Sequence, residues 1–189
     1  MNEKNAVKSN RLKLILSLLI ANGIRLLKIF PNNDPIMSMA LPFSRRSSAL
    51  TSFVFPFFTI ASFDFITNLL GPWTLLTGIT YGLLGLAFHY LLKNRERVTM
   101  QEYLALGVLG VLVFDFITGV LATPLLFGGT FIESFLGQIP FTLMHLFSTV
   151  AYILVVTPIL DRGVLLNKRL DDRKVSDFLF RISLRLRSL

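Results

Sequence analysis

Four stretches of this chain, Ser47–Leu70, Trp73–Leu92, Met100–Leu121 and Ile139–Leu160, are long and apolar with few charges. The hydrocarbon core of a bilayer is about 30 Å thick and takes about 20 mostly apolar residues per helix. Each stretch meets that length, so the chain reads as a multi-pass membrane bundle. Composition agrees: 53% of residues are hydrophobic and 16% charged. Soluble domains hold about 25% charged residues to cover their surface. The charges here cluster at the ends and in short breaks, and cannot coat a water-facing fold.

Two further segments are weaker. Leu12–Phe30 is interrupted by Asn22, Arg25 and Lys28, and Ile36–Phe43 is too short to span alone. Between them lies Pro31-Asn32-Asn33-Asp34-Pro35, a strong turn signal. The pair reads as a hairpin whose second arm is a half-helix or a re-entrant segment. The expected fold is all-α, with about six membrane helices, the second one short. Residues 1–160 form one membrane domain and residues 161–189 a basic tail.

The positive charges orient it. Lys and Arg fall in the amino-terminal segment, at Arg45 and Arg46, at Lys93, Arg95 and Arg97, and in the tail; only Arg25 and Lys28 lie elsewhere, in the first helix. Cytoplasmic loops carry such an excess, so both ends are expected inside. The net charge of +8 is thereby a topological signal, and nucleic acid is not the expected partner. In the tail, Val175, Phe178, Leu179, Ile182 and Leu186 share one helical face, as in a helix lying on anionic lipid. The outer connection Ala122–Gln138 is apolar with Glu133 in it. Its part Leu125–Gly137 is too short to cross and is expected at the interface or over the outer mouth.

Phe63-Asp64-Phe65-Ile66-Thr67 recurs as Phe114-Asp115-Phe116-Ile117-Thr118. The spacing covers two passes, so the copies run in the same direction and suggest a parallel repeat. An Asp inside a membrane helix costs about 2.5–3.5 kcal/mol on insertion scales. Such residues belong in the bundle interior. Asn68 and Thr67 share the helical face of Asp64, and Arg25 can reach the same depth. The expected polar layer is Asp64, Asp115 and Arg25 near the outer mouth. Trp73, Thr74, Thr77 and Tyr81 follow on the next helix, and Gln138 and His145 stand on the last. A ligand site and a helix-locking cluster of buried hydrogen bonds both account for that layer. Trp73 also suits an interfacial anchor, and His145 also suits helix packing.

Some chemistries lack their residues. The chain has no cysteine, and its two His have no neighbouring ligand cluster, so no metal or other cofactor is expected. No Walker loop, dinucleotide fingerprint or Ser-His-Asp grouping is present. Paired Asp residues are also the machinery of intramembrane aspartyl proteases, but their Gly-x-Gly-Asp is missing. A non-enzymatic role is expected, and a membrane scaffold is the alternative to ligand capture.

The order of these pieces, from about Leu12 to Leu160, resembles the substrate-binding S components of energy-coupling factor transporters. The resemblance rests on a short second span leading into Ser44-Arg45-Arg46, a helix ending in Asp, and Gly71-Pro72-Trp73-Thr74 opening a helix with Tyr81-Gly82. It rests too on the last span, from Gln138-Ile139-Pro140-Phe141 to Pro158-Ile159-Leu160. The Pro31–Pro35 turn is similar to one in that family. The resemblance implies a subunit of a prokaryotic cell membrane that captures a vitamin, a nucleobase-like precursor or a metal ion from outside. It then pairs with a transmembrane coupling subunit and two cytoplasmic ATPases. The family's first helix docks through an Ala-xxx-Ala face, for which this chain has Ser17 and Ala21.

Overall fold

A computed structural model describes residues 11–30 and 32–167 of the chain. Among these the regular elements are all helical: α1 Arg11–Leu27, α2 Ile36–Arg46, α3 Ala49–Ile66, α4 Pro72–Leu92, α5 Met100–Asp115, α6 Thr123–Phe127 and α7 Phe131–Ile159. A π-helical stretch, Phe116–Ala122, joins α5 to α6, and a second, Leu160–Leu165, extends α7. Four continuous helices are long and apolar enough to cross a membrane: Ala49–Ile66, Pro72–Leu92, Met100–Phe127 and Phe131–Leu165. Their outer surfaces carry large exposed apolar side chains such as Phe65, Leu83, Leu109 and Phe147. Such a surface suits lipid far better than water.

Helix starts follow local chemistry. Ser48 caps α3 by accepting from Thr51 N. Gly71-Pro72 opens α4, where proline's fixed φ suits the first helical position. Thr99 with Glu102, and Thr130 with Glu133, form capping boxes at α5 and α7. Each pair satisfies backbone N–H groups that the first turn leaves without partners.

The second of those boxes corrects an expectation. Ala122–Gln138 is not a piece apart from the spans on either side. It is helical through Phe127 and again from Phe131, and turns only at Gly128 to Thr130. Gly128 and Gly129 have φ of 82° and 97°, a region open to glycine without strain. Glu133 serves as the cap of α7.

Helix α2 holds 11 residues, about 16 Å at helical rise, or half the hydrocarbon thickness. All of residues 36–44 are buried. The short arm is thus a central element, packed against α3, α4, α5 and α7. Thr157 Oγ1 donates to Ser38 O at 2.7 Å, and Ser44 Oγ to Gly85 O at 2.8 Å. Gly85 also lets α3 and α4 close up: a Cβ there would lie 2.1 Å from Ser52 O.

One end of the bundle is basic and tied together by charge. Arg46 grips Asp161 through two nitrogens, and Arg45 Nη1 stands 3.8 Å from the same carboxylate. Arg45 Nη2 also donates to Glu96 O, and Lys13 Nζ to Leu165 O at 2.8 Å. Leu160, Val164 and Leu165 pack with Ala21, Met39 and Phe55 in one core cluster. Helix therefore continues past the boundary at residue 160 that the sequence suggests. The tail's expected amphipathic face, Val175 to Leu186, lies outside the described residues.

Ser17 and Ala21 are both fully buried within the chain's own core. In this arrangement the small pair is turned inward.

Replacing Gly85 with Ala is expected to lower stability by about 1–3 kcal/mol, the cost of overpacking a filled core. Nothing lies within 4 Å of a Cβ added at Gly23, so Gly23→Ala in α1 is expected to hold or raise stability. Thermal unfolding of both variants in detergent checks the contrast.

Candidate functional site

The turn between α1 and α2 is held inside the bundle. Asn33 Nδ2 donates to Ile24 O at 2.6 Å and Arg25 O at 3.2 Å, closing the carbonyl end of α1. Tyr152 donates to Asn33 Oδ1, and Ser148 Oγ to Asn32 O at 2.9 Å. Asn32 has φ 51°, which amide side chains tolerate better than most. The turn thereby delivers Asn32 and Asp34 to the interior.

Asp34 begins a buried polar chain. One carboxylate oxygen accepts from Ile36 N at 2.8 Å and the other from Tyr81 Oη at 2.7 Å. Tyr81 Oη also lies 3.3 Å from His145 Nε2, and His145 Nδ1 lies 2.9 Å from Asp115 Oδ1. The turn, α4, α7 and α5 are thus joined through one line of side chains. Asp115 and His145 are each 1% exposed, so the imidazole N–H to carboxylate bond is shielded from water.

The repeat is matched in local geometry. Asp64 and Asp115 each stand about four turns beyond the first residue of their helices. In both copies the Thr donates to the first Phe carbonyl at 2.8 Å, Thr67 to Phe63 and Thr118 to Phe114. The copies then diverge. Helix α3 stops at Ile66, whereas α5 continues through the π-helical stretch. Asp64 is partly buried and accepts from Thr74 Oγ1 at 2.6 Å. No hydrogen bond joins Asp64 to Asp115; Asp64 bonds to Thr74 and Asp115 to His145.

These residues surround a cavity of about 260 Å³ lined by Arg25, Asn32, Asp34, Ile60, Asp64, Trp73, Thr77, Tyr81, Phe114, Thr118, Gly119, Thr123, Gln138, Phe141 and His145. It lies toward the end of the bundle opposite Arg45, Arg46 and Asp161. The Arg25 guanidinium lies 3.8 Å from the Phe63 ring centroid, while its Nη1 is buried without a hydrogen-bond partner. Asn32 Nδ2 and Asp115 Oδ2 are likewise buried and unpartnered. Buried polar groups normally find partners, and three of the atoms that have none here lie in and beside this one cavity.

Most sequence candidates converge here. Arg25, Asp64, Trp73, Thr77, Tyr81, Gln138 and His145 line the cavity; Thr74 supports Asp64, and Asp115 stands behind His145. Asn68 does not join them. The helix ends before it, and Asn68 is exposed with φ 57°. None of residues 125–137 lines the cavity, although Phe127 packs against Trp73 at 5.7 Å between rings. Asp34 was concealed because Asp in an Asn-rich, Pro-flanked stretch reads as a turn former. Among the described residues no three His, Cys, Asp or Glu side chains gather to hold a metal ion. No family model, curated protein or solved structure matches the chain significantly.

Removing the imidazole in His145→Ala strands the Asp115 carboxylate, and the expected loss of stability is about 1–3 kcal/mol. Adding Asp115→Ala is expected to cost less than the sum of the two single changes, because they share one bond. Unfolding midpoints of the four proteins in detergent check this; additive losses would separate the two side chains.

Proposed function

We propose that this chain is the ligand-capturing membrane subunit of an energy-coupled importer of the S-component kind, in a prokaryotic cell membrane. The observation that carries the reading is a cavity among apolar helices that Arg25, Asp34, Asp64 and His145 line, with buried polar atoms beside it that no side chain satisfies. A scaffold that only locks helices gains nothing from such a space and loses stability through it. By the positive-inside rule the basic end of the bundle is cytoplasmic, and the cavity then opens toward the outside. Ligand would enter from that side and be held by Asp64, Tyr81, His145 and Gln138 against the Trp73 ring.

The sequence carries no nucleotide-binding motif, so uphill movement would draw on a transmembrane coupling subunit and two cytoplasmic ATPases. With Ser17 and Ala21 turned inward, the face of α1 available to such a partner is the exposed stripe of Ile15, Leu19 and Leu26.

Native mass spectrometry of the full-length protein, purified gently from its membranes, tests ligand capture. A small molecule should leave the wild-type protein on activation. It should be missing from Gly119→Leu, since Gly119 lines the cavity and a Cβ there would lie 2.0 Å from Gln138 Oε1, pushing that side chain out of place. An empty wild-type protein, or equal loading of the variant, would contradict the reading.

A further inference from the structure

Arg25 and Asp64 line the same small cavity. Among the described residues neither forms an ion pair. Opposite charges in a low-dielectric site attract strongly, and leaving either unpaired is costly. Two such groups facing one space without meeting leave room for something that meets both.

We infer that the cavity is built for a small zwitterion, a molecule carrying a carboxylate-like anion and a cationic organic nitrogen. This rests on the ligand-capture reading above and specifies its substrate class. The anion's place is set by Arg25 and Asn32. Stacking on Phe63 occupies the flat face of the guanidinium and leaves its edge N–H groups to bind. Nη1 of Arg25 and Nδ2 of Asn32 are both buried donors without partners. A planar carboxylate is the acceptor that such a fork fits best.

The cation's place is at Asp64. The other lining carboxylate, Asp34, has both oxygens engaged, by Ile36 N and Tyr81. Asp64 receives one hydroxyl hydrogen bond, from Thr74 on Oδ2, and its other oxygen is open to a donor. Trp73, next to Thr74 in sequence, adds a ring face that attracts cations. Among the described residues no three His, Cys, Asp or Glu side chains gather, so an organic nitrogen suits this place better than a metal ion. Size restricts it further: about 260 Å³ falls below the roughly 300–1,000 Å³ clefts that take drug-sized ligands.

Competition among matched probes tests this. L-phenylalanine, 2-phenylethylamine and 3-phenylpropanoate share one aromatic skeleton and differ in charge. The full-length protein in detergent is incubated with all three at equal concentration and its adducts are read by native mass spectrometry. The amino acid is expected to lead each single-charge analogue by about tenfold or more, an advantage of about 1.4 kcal/mol. Arg25→Gln should abolish its lead over the amine, and Asp64→Asn its lead over the acid. If a single-charge probe dominates, or the three bind alike, the zwitterion assignment fails while ligand capture stands. If no probe binds, the co-purified molecule decides. One carrying both charges supports the assignment, one lacking either overturns it, and no molecule at all overturns ligand capture as well.

Discussion

The bundle depends on keeping ionisable side chains inside apolar helices without leaving them bare. An isolated charge in such a place is far costlier than any hydrogen bond it forgoes. The chain meets this by linking Asp34, Tyr81, His145 and Asp115 end to end across the turn, α4, α7 and α5. That line fixes the relative positions of four separate parts of the fold. It also draws the α1–α2 turn inward, and with it Asn32 and the short helix that follows. The cavity is the space left beside the line, where Arg25 and Asp64 stand without an ion-pair partner among the described residues.

Much of this was legible in the sequence because its physics is local. Apolar length gave the four spans, and the Pro31–Pro35 cluster gave the hairpin. The cost of an intramembrane Asp turned attention to Asp64 and Asp115, and helical spacing placed Thr74, Thr77 and Tyr81 near them. What escaped depends on tertiary packing. The burial of α2 follows from its neighbours on several sides, which its own residues do not encode. Asp34 looked like a turn residue and is one, but the turn's docking through Asn33, Tyr152 and Ser148 makes its carboxylate a wall of the cavity.

Two misreadings share a cause. Asn68 was grouped with Asp64 by extending helical periodicity past the point where the helix ends. Leu125–Gly137 was set apart as too short to cross, yet Thr130 with Glu133 starts a helix there that runs on into the last span. Caps and left-handed residues decide such boundaries, and both are weak signals beside a long apolar stretch. The repeat shows the complementary point. Five identical residues produce the same Thr-to-Phe bond twice, while different neighbours put one Asp at a cavity wall and seal the other behind an imidazole.

The central claim is that water and solutes from outside the cell reach the interior of this apolar bundle. The chain has no cysteine, so a single introduced thiol reports on its own site. Thr77→Cys at the cavity and Leu112→Cys on the exposed apolar surface can be compared in intact cells with a charged, membrane-impermeant methanethiosulfonate. The account predicts fast modification at position 77 and little at 112. Modification at 77 no faster than at 112 would mean that the cavity is closed to the outside, and would contradict it.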